Sequence, residues 1–521
     1  MATSVATMMS TTRGLPTALS VLQATNGGQL ELASIVTVLS AKFAVATCSQ
    51  HLVRRRRLDT FDRRLDVAGL TLEHQIVAGV DSGERLALGR PDGTSLAAVV
   101  VKSPRWPALA DALPPGPVRD AIAPVTGIRA LMVASDQERR VRRLDLRNRD
   151  AKIVAWVELD EPASPTGSPA QVTVHSLRGY DDQARQADRL LIGLGLGRVE
   201  NGEAVPASSA QEESVTDRAV PAALLLHTAL TGFFATMGEN LPGLLDDVDT
   251  EFLHDFRVSV RRTRATLKLG RPALGEVMAG RWEPAFKSLG DLTTPVRDLD
   301  VYQLALPAMG LWLVTADRTD LNPLAAHLQR RRAQEHRKLV GSLRSATFQR
   351  LLTQWAQELV TLGDTAQDRE LEHPSAGWLA DRSISRAHRR VARGGALIEA
   401  GSPAEDLHEL RKRCKELRYA LEVFAPLIDH AARKRAVADL KDLQDVLGRF
   451  QDCQVQRQAM RGFAEEMMAE GTTAGAVLAM GELSGHLDVE QDRARREFDA
   501  AFARFGRPSS LKLIHRLGGT Q

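Results

Sequence analysis

The chain has 521 residues, 43% hydrophobic and 26% charged, with a formal net charge of only +3. That length implies two or three domains, and the composition excludes a disordered chain. Near-neutrality also makes whole-molecule attraction to a polyanion weak, so any anion site must come from basic groups concentrated locally.

Three cysteines (Cys48, Cys414, Cys453) and no C-x-x-C pair cannot build a disulfide framework, so a reducing, cytoplasmic setting is expected. The first thirty residues lack a basic region leading into an apolar one. The apolar run LASIVTVLSAKFAVAT (32–47) is interrupted by Lys42 and falls short of a membrane span.

Further along, VDSGE (80–84), RPDGT (90–94) and LPPGP (113–117) are turn signals between short apolar runs. LAAVVVK (96–102) and KIVAWVEL (152–159) have strand length and β-branched content. Residues 1–200 therefore read as an α+β domain with a substantial antiparallel sheet. The stretch 201–216 is polar, rich in small residues and aperiodic, as a linker is.

From 217 to about 515 the pattern turns helical. FLHDFRVSVRRTRATLKLG (252–270) predicts a helix ending near Gly270. In GSPAEDLHELRKRC, Ser402 is placed to cap a helix, with Pro403 at its first position and Glu405 completing a capping box. That helix should end near Phe424, before Pro426.

The two segments share a pattern. His254, Arg257, Arg261 and Arg264 stand at offsets 0, 3, 7 and 10, as do His408, Arg411, Lys415 and Arg418. On a helix these offsets fall on one stripe about 80° wide. Lys268 extends the first stripe, while Arg262 and Lys412 lie at the edges. The opposite faces carry Phe252, Phe256, Val260 and Leu267, and Leu407, Leu410, Leu417 and Leu421, which suit a bundle core. A basic helix face is most often simply solvated. Like charges at these spacings repel, however, and the first stripe contains no acid, so an anion that neutralises it gives the pattern a purpose.

The duplication extends downstream. Asp298 in VRDLDVY follows His254 by 44 residues, and Asp452 in RFQDCQVQ follows His408 by 44. Two copies of one helical unit are expected, their histidine helices facing each other across a pseudo-two-fold axis.

HDFRVSVRRTRATLKL and HELRKRCKELRYALEVF, with VRDLDVY and LQDVLGRFQD after them, resemble the CHAD (conserved histidine α-helical) domains. The resemblance covers roughly 217–515. It implies an all-α bundle of two pseudo-repeated four-helix halves that binds inorganic polyphosphate in a central basic channel. The residues it implies for that channel are His254, Arg257, Arg261, Arg262, Arg264, His408, Arg411, Lys412, Lys415 and Arg418, with Lys268 on the same stripe. Rows of Arg forks and Lys point charges suit such a chain, and a nearby polyanion should favour protonated histidine. Second-tier contacts are Arg297, Arg332, His336, Arg337, Arg386 and Arg390, mostly from QRRRAQEHRKL (329–339) and SRAHRRVAR (385–393).

The N-terminal part resembles a CYTH domain, the antiparallel β-tunnel fold of triphosphate-processing enzymes. The resemblance rests on RRLDTFDRRLDVAGLTL (56–72), AWVELDEPA (155–163) and VHSLRGYDDQARQADRLLIGLGL (174–196). That family opens with Glu-x-Glu-x-Lys on its first strand. The candidate here is QLELA (29–33), which offers Gln29, Glu31 and Ala33, and Glu73 and Gln75 stand where Arg-x-Arg is usual. The domain is therefore expected to be degenerate, with at most a partial site from Glu158, Asp160, Arg139, Arg140 and Arg142.

The expectation is a non-catalytic polyphosphate binder without cofactor or metal, cytoplasmic and recruited to polyphosphate granules. The alternative is a metal-dependent triphosphatase with the helical domain as an accessory. Nucleic acid is not expected as a partner, because Phe256 and Tyr419 are the only aromatics among the basic stripes. A zinc site is not expected either, since the two histidines are 154 residues apart and neither has a second ligand at helical spacing.

Overall fold

The computed structural model describes residues 18–24, 31–78, 83–164, 169–198, 217–368 and 374–506. The chain divides into two compact units, Met1–Ala210 and Gln211–Gln521. The stretch expected to be a linker, 201–216, lies outside the described residues.

The first unit runs β1 (Ala18–Ala24), α1 (Leu32–Ser40), β2 (Ala44–Asp59), α2 (Arg64–Val67), β3 (Thr71–Val77), β4 (Glu84–Gly89) and β5 (Ser95–Val100). It continues with α3 (Pro117–Thr126), β6 (Met132–Arg147), β7 (Ile153–Pro162), β8 (Gln171–Ser176), α4 (Asp181–Gly193) and β9 (Leu196–Arg198). The strands form one antiparallel sheet in the order β5-β4-β3-β2-β6-β7-β8-β1-β9. The expected strands at 96–102 and 152–159 are β5 and β7.

Side-chain alternation gives the sheet two unlike faces. Leu144, Val157, Leu159, Val172 and Val174 pack under α1 and α4, and Leu58, Leu72, Leu86 and Leu88 pack under α3. The other face carries Arg55, Glu73, Gln75, Arg85, Glu158 and Asp160. The sheet curls about that polar face. A Cβ at Gly93, in the β4–β5 turn, would overlap the Val21 side chain of β1, which five strands separate from β4 in the sheet order. Asp59 fixes the turn after β2 by accepting the backbone N–H groups of Thr60, Leu65 and Asp66.

The candidate for the first-strand signature, QLELA (29–33), is not placed on a strand in its described part: Glu31 is the N-cap residue of α1, and Leu32 and Ala33 are its first residues. Gln29 lies outside the described residues. Strand β1 comes earlier and reads ALSVLQA, with no charged side chain.

The second unit is helical: α5 (Ala222–Leu245), α6 (Thr250–Leu274), α7 (Glu276–Met309), α8 (Asn322–Leu343), α9 (Ala346–Asp368), α10 (Ala376–Gly395), α11 (Ala404–Val423), α12 (His430–Ala469) and α13 (Ala474–Phe505). Helices α5–α8 form one antiparallel half and α10–α13 the other, with α9 packed on α5 and α8. The halves repeat in sequence register, since Ala222 and Ala376 are 154 residues apart, as are His254 and His408. The Ala222 N–H donates to Pro374 O at 3.1 Å, and the Ala376 N–H donates to Val220 O at 2.8 Å. Those two bonds exchange under a pseudo-two-fold axis.

Two helix ends differ from expectation. Helix α6 passes through Gly270 and stops at Leu274, with Gly275 as its C-cap at φ 87°. Gly270 is a packing residue, because a Cβ there would stand 2.6 Å from Leu226 of α5. The capping box at Ser402 does not form. Pro403 is the N-cap of α11 without a side-chain cap, and the Ser402 hydroxyl accepts the Glu399 N–H at 2.8 Å instead. The other end, at Val423, is where Pro426 placed it.

Candidate anion-binding site

The site begins with the packing of α6 against α11. Each helix buries its apolar face, Phe252, Phe256, Val260 and Leu267 on one and Leu407, Leu410, Leu417 and Leu421 on the other. Two ion pairs clamp the helices, Arg262–Glu422 at 3.3 Å and Lys268–Glu416 at 2.6 Å. Positions 262 and 416, and positions 268 and 422, are 154 apart, so the clamps exchange under the two-fold. Both acids come from α11.

Equivalent arginines anchor each stripe to the next helix. Arg257 Nη1 donates to Gly290 O at 3.0 Å, to Thr293 Oγ1 at 2.6 Å and to Thr294 Oγ1 at 3.1 Å on α7. Arg411 Nη1 donates to Gly448 O at 2.9 Å and to Asp452 Oδ1 at 3.0 Å on α12. The histidines also have matched neighbours. His408 Nδ1 lies 2.9 Å from Gln451 Oε1, and the position equivalent to Gln451 is Arg297, whose charge acts on His254.

The local electrostatics are strained. Burial, and then Arg261, push the Arg257 guanidinium down to about 10. Burial, then Arg411 and Arg261, lower the Lys415 ammonium. Burial and Arg297 lower His254. Burial is the larger cause of both shifts and the neighbouring arginines add to it, while Asp298 and Asp291 beside Arg257, and Asp452 beside Lys415, pull the other way. Arg261 acts on both Arg257 and Lys415, so the two stripes meet at one cluster. Acids mark its edge. Burial raises Asp298 against the pull of Arg257 and Arg297. Buried Tyr302, pushed up to about 12, feels both Asp298 and Asp452.

Residues 228–461 of the chain match the family model of the CHAD domain. The helical unit carries a CHAD domain. In solved structures, the CHAD domain from the plant Ricinus communis is similar at 22% identity, TM-score 0.46, over 56% of this chain and 93% of that one. PptA from Streptomyces chartreusis is similar at 18% identity, TM-score 0.40, over 54% of this chain and 99% of that one. A Hippeastrum protein described as having a dominant triphosphatase activity is similar at 10% identity, TM-score 0.25, over 38% of this chain and 96% of that one. No curated protein matches the chain.

Within the CHAD domain the named residues separate into three groups. His254, Arg257, Arg261, Arg297, Arg411 and Lys415 converge, with His408 beside Gln451. A second group is held by carboxylates. Arg262 pairs with Glu422 and lies over the Phe233 ring at 5.9 Å. Arg418 bonds the same Glu422 at 2.8 Å, Lys412 sits 3.6 Å from Glu409, and Arg390 shares Glu416 with Lys268. Arg332 is fixed between Asp247 and Asp300, and His336 Nε2 lies 2.8 Å from Leu244 O, so both tie the bundle together. The third group, Arg264, Arg337 and Arg386, is exposed.

Gln451 and Tyr302 were not singled out by sequence, nor were the clamping acids Glu416 and Glu422. A signal for the acids was present. In the 154-residue register Glu416 stands opposite Arg262 and Glu422 opposite Lys268, and opposite charges at equivalent positions suit pairing across a two-fold.

The polar face of the first unit is self-neutralised. Arg55 lies 3.6 Å from Glu73, 3.3 Å from Glu158 and 3.0 Å from Asp160. Burial opposes its charge, and the three carboxylates outweigh burial and hold its pKa above the ordinary value. Arg139 adds a 2.6 Å bond to Asp160, and Arg85 donates to Gln75 at 2.8 Å. The partial site expected from five residues is not assembled as such. Strand alternation sends Arg140 and Arg142 to the other face, where Arg142 pairs with Glu161 at 3.1 Å.

Proposed function

We propose that the CHAD domain binds inorganic polyphosphate along the groove between α6 and α11, without turning it over. One observation carries this reading. Two equivalent helices bring Arg257, Arg261, Arg411 and Lys415 to a single cluster, in which Arg411 alone of the four bonds a carboxylate, that of Asp452, among the described residues. Arg261, Arg264 and Lys415 have no carboxylate partner among the described residues, and Arg257 bonds only carbonyl and hydroxyl oxygens. Such a cluster takes a ligand with closely repeated negative charges and no need for bases to stack. A linear polyphosphate has that form, and the family resemblance points the same way. The binder is expected to work without a cofactor and to follow polyphosphate into granules.

Non-catalysis rests on the first unit. Glu73, Glu158 and Asp160 surround Arg55, so an internal guanidinium stands among the acids that a metal–triphosphate complex would have to use. The test is one preparation and two assays. Calorimetric titration of the full chain with polyphosphate should show saturable binding. Incubation with tripolyphosphate and magnesium or manganese should release no phosphate above background. Metal-dependent release abolished by Glu158→Ala would replace this reading with a triphosphatase.

A further inference from the structure

The outward face of α10 carries Arg382, Arg386, Arg389 and Arg393, all exposed. Their spacing of four, three and four residues confines them to a stripe about 60° wide and about 16 Å long. Arg382 lies 5.2 Å from the Trp378 ring, itself 46% exposed. Among the described residues none of the four has a carboxylate partner. Asp381 is the one acid of α10, and Arg218 holds it. Elsewhere the same unit pairs exposed arginines with acids, as at Arg281–Glu358, Arg330–Glu470 and Arg461–Glu465.

The internal repeat supplies a control. Helix α5 is the mate of α10 in the 154-residue register, and its positions equivalent to the four arginines hold Thr228, Gly232, Ala235 and Glu239. The scaffold does not require cations there. Only the second copy carries them, against mutual repulsion at i, i+3 and i, i+4.

The stripe connects to the groove through Glu416 of α11, which takes Lys268 of α6 on one side and Arg390 of α10 on the other. Arg386 is one turn from Arg390. A polyanion leaving the groove past Lys268 therefore next meets the flank of α10. We infer that the outer face of α10 is a second contact track for polyphosphate, engaged by chains long enough to overrun the groove. This rests on the groove reading above and makes binding selective for chain length.

The test uses the full chain carrying Arg382→Gln, Arg386→Gln, Arg389→Gln and Arg393→Gln together. It is titrated with a short polyphosphate that the groove alone can span and with one several times longer, and Arg261→Glu is run in parallel. The α10 variant should hold short-chain affinity within about twofold, lose at least about tenfold for the long chain, and flatten the long-chain salt slope by about 3. Arg261→Glu should weaken both. Unchanged long-chain affinity in the α10 variant would overturn the second track. Equal losses for both lengths would also overturn it, by assigning the stripe to general attraction. Unchanged polyphosphate binding with loss of single-stranded RNA binding would reassign the stripe to nucleic acid. If Arg261→Glu binds short chains normally, the groove reading fails, and the α10 result is read separately from the difference between lengths.

Discussion

His254 shows how a single residue in this site should respond to its ligand. In the free protein burial and the Arg297 charge lower its pKa. A polyanion laid on the stripe adds negative charge and raises that pKa, so binding takes up a proton. Affinity should therefore increase as pH falls through the bound-state value and level off below the free-state value. Between about pH 8 and pH 5.5 a few-fold gain is expected, and His254→Gln should flatten it. Titrations at several pH values check this, and affinity that falls with acidification contradicts it. The stripes themselves were legible in sequence because every member repeats at one helical offset. What each side chain does was not. Arg262 and Lys268 read as part of the stripe, yet Glu422 and Glu416 of the other helix hold them, and no single helix reveals a partner supplied by its neighbour.

Among the elements, local signals succeeded where local chemistry decides. Pro426 ends α11, and the β-branched runs form β5 and β7. They failed where packing decides. Gly270 suggested a helix end, but its missing Cβ serves the contact with Leu226. The apolar run from Leu32 forms α1, whose Ile35 and Leu39 fill the core over β7 and β8. A packing glycine also sets the α5–α6 contact. A Cβ at Gly243 would overlap the rigid ring of Phe252, which is itself buried. Alanine is the better helix former by about 1 kcal/mol, whereas overpacking a core typically costs about 1–3 kcal/mol. Gly243→Ala should therefore destabilise the CHAD domain by up to about 2 kcal/mol in urea denaturation. A stabilised variant would mean that α5 shifts freely against α6.

Over the whole molecule, a net charge of +3 conceals an uneven distribution. The first unit surrounds its central cation Arg55 with acids, and the second leaves Arg261 and Lys415 without a carboxylate partner among the described residues, beside half-buried Arg257. The duplication was visible as paired 44-residue spacings, and the pseudo-two-fold is now explicit in the exchanged Ala222 and Ala376 bonds. The central claim is that two equivalent helices hold one polyanion between them. Its most direct measurement is the salt dependence of polyphosphate affinity for the native chain, Arg261→Glu, Lys415→Glu, the double variant, and Arg435→Glu as a control outside both stripes. About six to eight cations displacing counterions should give a log–log slope on the order of −4 to −7. Each stripe variant should weaken binding and flatten the slope by about one or more, the double variant should exceed either, and the control should match the native chain. Losses at Arg435 equal to those at Arg261 and Lys415, with circular dichroism unchanged, would contradict the groove.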